Sequence, residues 1–183
     1  TVKAGNNPSM TPGTEDTYMS YGLPWANVSN SPFRLFKHWV HEGGISTPFI
    51  VHWPSGINTD NPLINEPIHI IDIMSTFLAA ANVDYPKERE GKEVTPLEGV
   101  NIIPLLRDEE WSRGNPIFWE HEGNQAVLED NWKLVRKYPS RWELYDMKRD
   151  RTELNDLSEK NEGKVKDLKE KYQQWANRCG VLQ

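Results

Sequence analysis

The most constraining feature of this 183-residue sequence lies in its second half, where four short apolar segments are separated by turn-forming clusters. The segments span residues 116–120, 125–128, 132–137 and 142–145, and Glu129-Asp130-Asn131 makes a hairpin loop between two of them. Connections of a few residues are too short for the crossovers that parallel strands need, so the pattern predicts antiparallel pairing. The period then changes. Across 161–177, Val165, Leu168, Tyr172 and Trp175 recur at helical spacing with Lys and Glu between them. A small antiparallel sheet with one helix across its face would bury that stripe.

The first half reads differently. Residues 1–31 are dense in Gly, Pro, Asn, Ser and Thr and show no sustained period, which predicts an irregular lead-in. A helix is predicted to follow, capped by Asn30 or Ser31, with Pro32 at its first position and Gly43-Gly44 as its stop. Phe33, Phe36 and Val40 fall on one face, and Leu35 and Trp39 form a second apolar row. Residues 48–53 read as a short buried strand closed by Pro54-Ser55-Gly56. A second helix fits 67–82, with Ile68, Ile71, Met74 (or Ser75) and Leu78 as its stripe and Asn82 as its stop. Helix, strand and helix joined by short loops predict an α/β layered body. Residues 84–113 are charged and loop-like, with 102–106 as a short apolar anchor. The expected organisation is therefore a lead-in at 1–31, an α/β portion at 32–113 and a sheet-plus-helix subdomain at 114–183.

Composition narrows the function. Hydrophobic residues make up only 37%, but eight tryptophans supply enough apolar surface for a core. A net charge of −6 and a pI near 5.4 argue against a nucleic-acid partner, because phosphate binding needs clustered cations. The longest apolar runs are too short to span a bilayer, and no charged-then-apolar segment marks a signal peptide within the chain. Cys179 is the only cysteine, so neither an internal disulfide nor a cysteine-based metal site is expected.

Several residues invite a chemical reading. His38, His41 and Glu42 have the order His-x-x-His-Glu, which matches neither common zinc-helix pattern. Solvated or capping histidines are the simpler reading, and no metal ligand is assigned. Asp72 lies between Ile71 and Ile73 inside an apolar helix, so a buried carboxylate there must be paired, as an anchor for a loop or an arginine. Asn27-Val28-Ser29 matches the glycosylation acceptor pattern, which is frequent by chance. In 153–157, Asn155 or Asp156 suits side-chain capping. Lys37, between Phe36 and the Glu42-Gly43-Gly44 turn, offers a compact point charge suited to an anionic oxygen in a pocket.

Resemblance sharpens the reading of Lys37. The stretch Tyr21-Gly-Leu-Pro-Trp-Ala-Asn-Val-Ser-Asn-Ser-Pro-Phe-Arg-Leu-Phe-Lys37-His-Trp-Val-His-Glu42-Gly-Gly-Ile-Ser-Thr-Pro48 closely resembles the sulfatase family, particularly its bacterial arylsulfatase-like branch. Ile70-Ile-Asp-Ile-Met-Ser-Thr-Phe-Leu resembles a helix of that family. Phe118-Trp-Glu-His-Glu-Gly-Asn-Gln-Ala-Val with Trp132-Lys-Leu-Val resembles its C-terminal hairpin. Glu143-Leu-Tyr-Asp-Met with Thr152-Glu-Leu-Asn-Asp-Leu resembles its closing strand and turn. These blocks, in the family's order, cover residues 21–157.

The resemblance implies the C-terminal part of an alkaline-phosphatase-like α/β fold ending in a small antiparallel sheet packed by a helix. It implies hydrolysis of sulfate esters by a formylglycine nucleophile, with calcium as the cofactor of the full-length enzyme. By carry-over, Lys37 is the lysine that contacts the sulfate, and His121 is the looser candidate for binding substrate at the mouth of the site. No Cys/Ser-x-Pro/Ala-x-Arg motif occurs in the sequence, and the resemblance puts the family's Asp-Asn metal pair upstream of the segment that matches residues 1–36, so this chain alone is expected to bind no calcium and to be inactive. A sulfate ester is the expected partner of the full-length enzyme, and the chain itself is expected to self-associate. A periplasmic or secreted location follows from the family's habit. Two alternatives stay open: a non-catalytic binding or partner module that kept the fold, and part of a related phosphonate or phosphate ester hydrolase.

Overall fold

The predicted strands of the second half form a single sheet in the computed structural model, which describes residues 3–5, 7–20, 22–57, 59–60 and 62–181. Thr1, Val2, Asn6, Asn58, Asn61, Leu182 and Gln183 lie outside the described residues, as does Tyr21, the first residue of the sulfatase-like stretch. The elements run β1 (Lys3–Ala4), β2 (Thr17–Tyr18), α1 (Leu23–Ser29), α2 (Glu42–Ile45), α3 (Asp72–Ala81), β3 (Glu88–Arg89), β4 (Lys92–Glu93) and α4 (Ile103–Leu106). They continue with β5 (Ile117–His121), β6 (Asn124–Glu129), β7 (Trp132–Arg136), β8 (Trp142–Asp146), a 3-10 turn at Ser158–Lys160 and α5 (Glu162–Cys179). No helix among the described residues is long and apolar enough to cross a membrane. The chain divides into two units, Thr1–Thr47 with Phe118–Gln183, and Pro48–Ile117.

In the first unit the strand order is β5-β6-β7-β8, and β7 is antiparallel to both β6 and β8. Leu134 sits opposite Val127 on one side and Leu144 on the other, so the three share one face. Leu168, Tyr172 and Ala176 of α5 pack on that face, with Val165 and Trp175 beside them. This is the predicted helical stripe, and Phe118 stacks on Trp175 at 5.1 Å. Gly180, at φ +70, ends the helix in the left-handed conformation that glycine adopts at low cost. The capping expected of Asn155 or Asp156 does not form: neither the 3-10 turn nor α5 has a side-chain cap, and Asp156 Oδ1 instead accepts the amides of Ser158 and Leu144.

The opposite face of the sheet is also covered. Ala126, Val135 and Tyr145 are buried there together with Val40, which comes from the N-terminal stretch of the chain. The sequence holds a signal for this second layer: Ala126-Val127-Leu128, Leu134-Val135 and Leu144-Tyr145 are continuous apolar runs. A sheet covered on one face alternates apolar with polar, whereas runs of this kind mark burial on both faces.

The helix predicted from residue 32 to residue 42 does not form. Residues 31–41 make a succession of turns, and Leu35 and His38 take positive φ values of 67° and 104°. Tertiary bonds replace helical ones: the Gly43 amide donates to the Arg34 carbonyl at 3.1 Å, closing the segment into a loop. Gly43 and Gly44 permit this closure. A Cβ on Gly43 would lie 2.3 Å from the Leu35 carbonyl oxygen, and one on Gly44 1.9 Å from that of Trp39. The two glycines are therefore close-approach residues of a folded loop, and Glu42 opens the short helix α2 where the sequence predicted a helix end.

In the second unit the predicted helix is present from Asp72, and Asn82 ends it in the left-handed conformation, at φ 52 and ψ 47. Its inward face is polar. The Asp72 carboxylate is fully buried and accepts the amides of His69 and Val100 and the guanidinium of Arg113. Thr76 Oγ1 accepts the Ile102 amide, and Ile102 and Ile103 are buried. Asp72 is thus the loop and arginine anchor that its setting required. Of the expected apolar stripe, Ile71 and Met74 are exposed, whereas Ile68 and Leu78 are half-buried. Residues 48–53, predicted as a buried strand, form no strand, and Ile50 is 89% exposed. A strand needs a partner edge for its amides and carbonyls, and among the described residues none pairs with this segment.

Candidate functional site

The loop carrying Lys37 is held at both ends by charged groups from the sheet. At its start, the Arg34 guanidinium donates to the Glu153 carbonyl at 2.8 Å and to the Tyr145 hydroxyl at 3.1 Å. The Tyr145 hydroxyl in turn donates to Glu143 Oε2 at 2.8 Å. At its end, fully buried His41 places Nε2 3.1 Å from the same carboxylate oxygen. An ionised carboxylate only accepts, so His41 Nε2 carries the proton.

One residue further, Glu42 enters a buried ion cluster. Lys133 has no exposed surface, and its Nζ lies 2.8 Å from Glu42 Oε1 and 2.8 Å from Glu153 Oε1. Glu153 Oε2 accepts the Glu42 amide at 2.9 Å, and Arg151 reaches Glu42 Oε2 at 3.4 Å. Two cations face two carboxylates, which satisfies the requirement that buried charge be paired. Between these clamps Lys37 itself is exposed.

His121 ends β5 and is exposed on the turn into β6. It lies near the Lys37 loop, because its ring meets that of His38 edge-on, with centroids 5.5 Å apart. The structure therefore brings together the two segments that hold the predicted site residues. It separates the predicted trio of His38, His41 and Glu42: His41 and Glu42 point into the buried clamps, and His38 pairs with Glu122 at 2.8 Å.

Sequence reading missed Arg34, Lys133, Glu143 and Glu153, the residues that fix the loop. A signal existed for two of them. Strand alternation puts Lys133 and Glu143 on the same face as Val135 and Tyr145, where a charged group signals either solvent or a buried partner.

Glu143 gives the clamp a pH dependence. The hydrogen bond from His41 holds its carboxyl below the ordinary carboxylate range, helped by the Tyr145 hydroxyl and the Arg34 charge. A carboxyl that is depressed in the folded state stabilises the fold above its unfolded pKa of about 4.3, and that stability is lost as pH falls. Glu143→Gln is therefore expected to destabilise the chain more at pH 7 than at pH 3 in urea unfolding. A constant difference across that range would contradict the assignment.

A family model described as "N-sulphoglucosamine sulphohydrolase, C-terminal" matches residues 33–178, most of the chain. The chain belongs to the sulfatase family. An uncharacterised sulfatase of Schizosaccharomyces pombe is 28% identical over 99% of this chain and 34% of its own length. A sulfatase of Formosa agariphila is 30% identical over 73% of this chain and 26% of its own length. The sulfatase chain thus spans about a third or less of these relatives. Among solved structures, Ps i-CgsB superposes with a TM-score of 0.61 at 23% identity, covering 80% of this chain and 32% of that one. A Bacteroides thetaiotaomicron structure described in connection with metabolism of multiple glycosaminoglycans gives a TM-score of 0.59 at 18% identity, covering 79% and 32%. The mixed α/β architecture, ending in an antiparallel sheet packed by a helix, is that of the sulfatase C-terminal region.

Proposed function

We propose that this chain is the C-terminal part of an enzyme that hydrolyses sulfate esters, to which it contributes Lys37 as a sulfate-contacting cation and His121 as a substrate contact at the mouth of the site. One observation carries the reading. The Lys37 loop is held at one end by half-buried Arg34 and at the other by the buried ion cluster of Glu42, so an exposed ammonium is presented from a braced support. Sulfate-ester cleavage spreads negative charge over the sulfate oxygens. A fixed point charge beside them stabilises the transition state without reorganising during the reaction.

The resemblance also implies a formylglycine nucleophile and calcium. The side chains of this chain do not fit either group. Among the described residues, the one converging set of His, Cys, Asp and Glu side chains is His38, His121 and Glu122. Two imidazole nitrogens do not suit a hard cation that takes six to eight oxygens. Cys179 is exposed at the end of α5 and is followed by Gly180-Val181, not by the family motif. In this reading both groups come from residues outside this chain.

The test is an assay with a chromogenic aryl sulfate and the matching phosphate ester. A longer protein containing this sequence is expected to turn over the sulfate, and the 183-residue chain alone to stay at background. Turnover by the isolated chain would remove the division of labour proposed here. Hydrolysis of the phosphate ester alone would replace a sulfatase activity with a phosphatase one.

A further inference from the structure

His38 and His121 come from separate segments, and Glu122 completes a set with them whose candidate ligand atoms all lie within 4.8 Å of one another. His38 Nδ1 is 2.8 Å from Glu122 Oε2, and the two histidine rings meet at an interplanar angle of 79°. Their backbones are tied together by one buried side chain. Asn124, 1% exposed, donates from Nδ2 to the His38 carbonyl at 3.2 Å and to the His121 carbonyl at 2.9 Å. Its Oδ1 accepts the Tyr138 amide at 3.1 Å, so the bridging amide is itself fixed. Glu120 Oε1 accepts the Gly123 amide at 2.8 Å and closes the turn below Glu122. The His38 ring is braced edge-on by Trp39, with centroids 4.4 Å apart.

Two of the three residues also hold uncommon backbone. His38 has φ 104° and Glu122 φ 51°. Non-glycine residues take positive φ in only a few per cent of cases, and such conformations persist where the surroundings impose them. Here they aim an imidazole and a carboxylate at each other from two loops.

We propose that His38, His121 and Glu122 form a site for a divalent transition metal, zinc or a similar imidazole-preferring ion, with a fourth position open to water. Imidazole with carboxylate suits zinc, copper and nickel, and three protein ligands with an open fourth position is a familiar zinc arrangement. Tetrahedral bonds of about 2.0–2.1 Å put neighbouring ligand atoms about 3.4 Å apart, so the present set needs only small side-chain rotations to close. The site shares His121 with the proposed substrate contact, so a metal bound there would compete with that role, and it is not the family's oxygen-ligated calcium site.

The test is titration of the metal-free 183-residue chain with zinc by calorimetry and with cobalt by visible absorption. One equivalent per chain is expected, with the cobalt spectrum of a low-coordinate nitrogen and oxygen set. Calcium is expected not to compete. Losing even an outer partner of a metal-ligating histidine costs about 10–100-fold in affinity. His38→Asn, His121→Asn and Glu122→Gln are each expected to cost at least that much, whereas His52→Ala should leave binding unchanged. His121 and Glu122 are exposed on a turn, so their variants keep the test valid if His38→Asn fails to fold by circular dichroism. Absence of one-to-one binding, equal competition by calcium, or binding insensitive to His121→Asn and Glu122→Gln would overturn the proposal.

Discussion

Replacing Lys37 with alanine is expected to lower kcat/KM of the complete enzyme by one to three orders of magnitude, or about 1.4–4 kcal/mol of transition-state stabilisation. The loss should fall on kcat as well as KM, because in the proposed role the ammonium faces charge that grows as the sulfate ester breaks. Lys37→Arg is expected to rescue poorly, since a planar guanidinium does not substitute for a compact charge in a tight pocket. In the isolated chain the same alanine variant should melt where the wild type does, because Lys37 is exposed and outside both clamps. Kinetics within threefold of wild type would remove Lys37 from the site. A lowered melting temperature would recast it as a structural residue.

The largest stability effect is expected at Lys133. Lys133→Met keeps most of the side-chain volume but removes the cation from between Glu42 and Glu153, leaving Glu42 with Arg151 alone and the buried Glu153 carboxylate without its cation. Breaking a buried pair by removing one partner costs about 3–5 kcal/mol. For a chain of this size that corresponds to a melting-temperature drop of roughly 6–20 °C. Because Glu42 opens the turn that closes the Lys37 loop, increased protease sensitivity should appear first between Arg34 and Ser46. Adding Glu153→Gln to Lys133→Met should restore part of the loss, since the orphaned charge disappears. Equal stability of Lys133→Met and wild type in urea unfolding would mean that the ion cluster does not hold the loop.

Periodicity made the sheet and the last helix legible. Val165, Leu168, Tyr172 and Trp175 predict α5 because a helix is a local structure whose apolar face repeats within a few turns. The short segments after 115 predict antiparallel strands because their connections allow nothing else. Asn82 and Asp72 were legible for similar reasons: one suits a left-handed stop, and the other demands a partner wherever it is buried. Lys37 stood out only through the resemblance of its surroundings to the sulfatase family. Nothing in its spacing separates it from a solvated lysine.

Tertiary contacts decided the rest. Residues 32–42 have the cap, the proline and the apolar spacing of a helix, yet Arg34, His41 and Glu42 form a loop because their partners lie about a hundred residues away on β7, on β8 and in the turn after β8. A local pattern cannot register partners at that distance, and two glycines that look like a helix stop serve instead as points of close approach. Residues 48–53 look like a buried strand because they are apolar, but a strand exists only when another edge accepts its hydrogen bonds. Composition and period thus determined which segments are helical or extended when their stabilising contacts are local. The folded chain alone determined the rigid loop that presents Lys37 and the meeting of His38 with His121, because both depend on charges and carbonyls far apart in sequence.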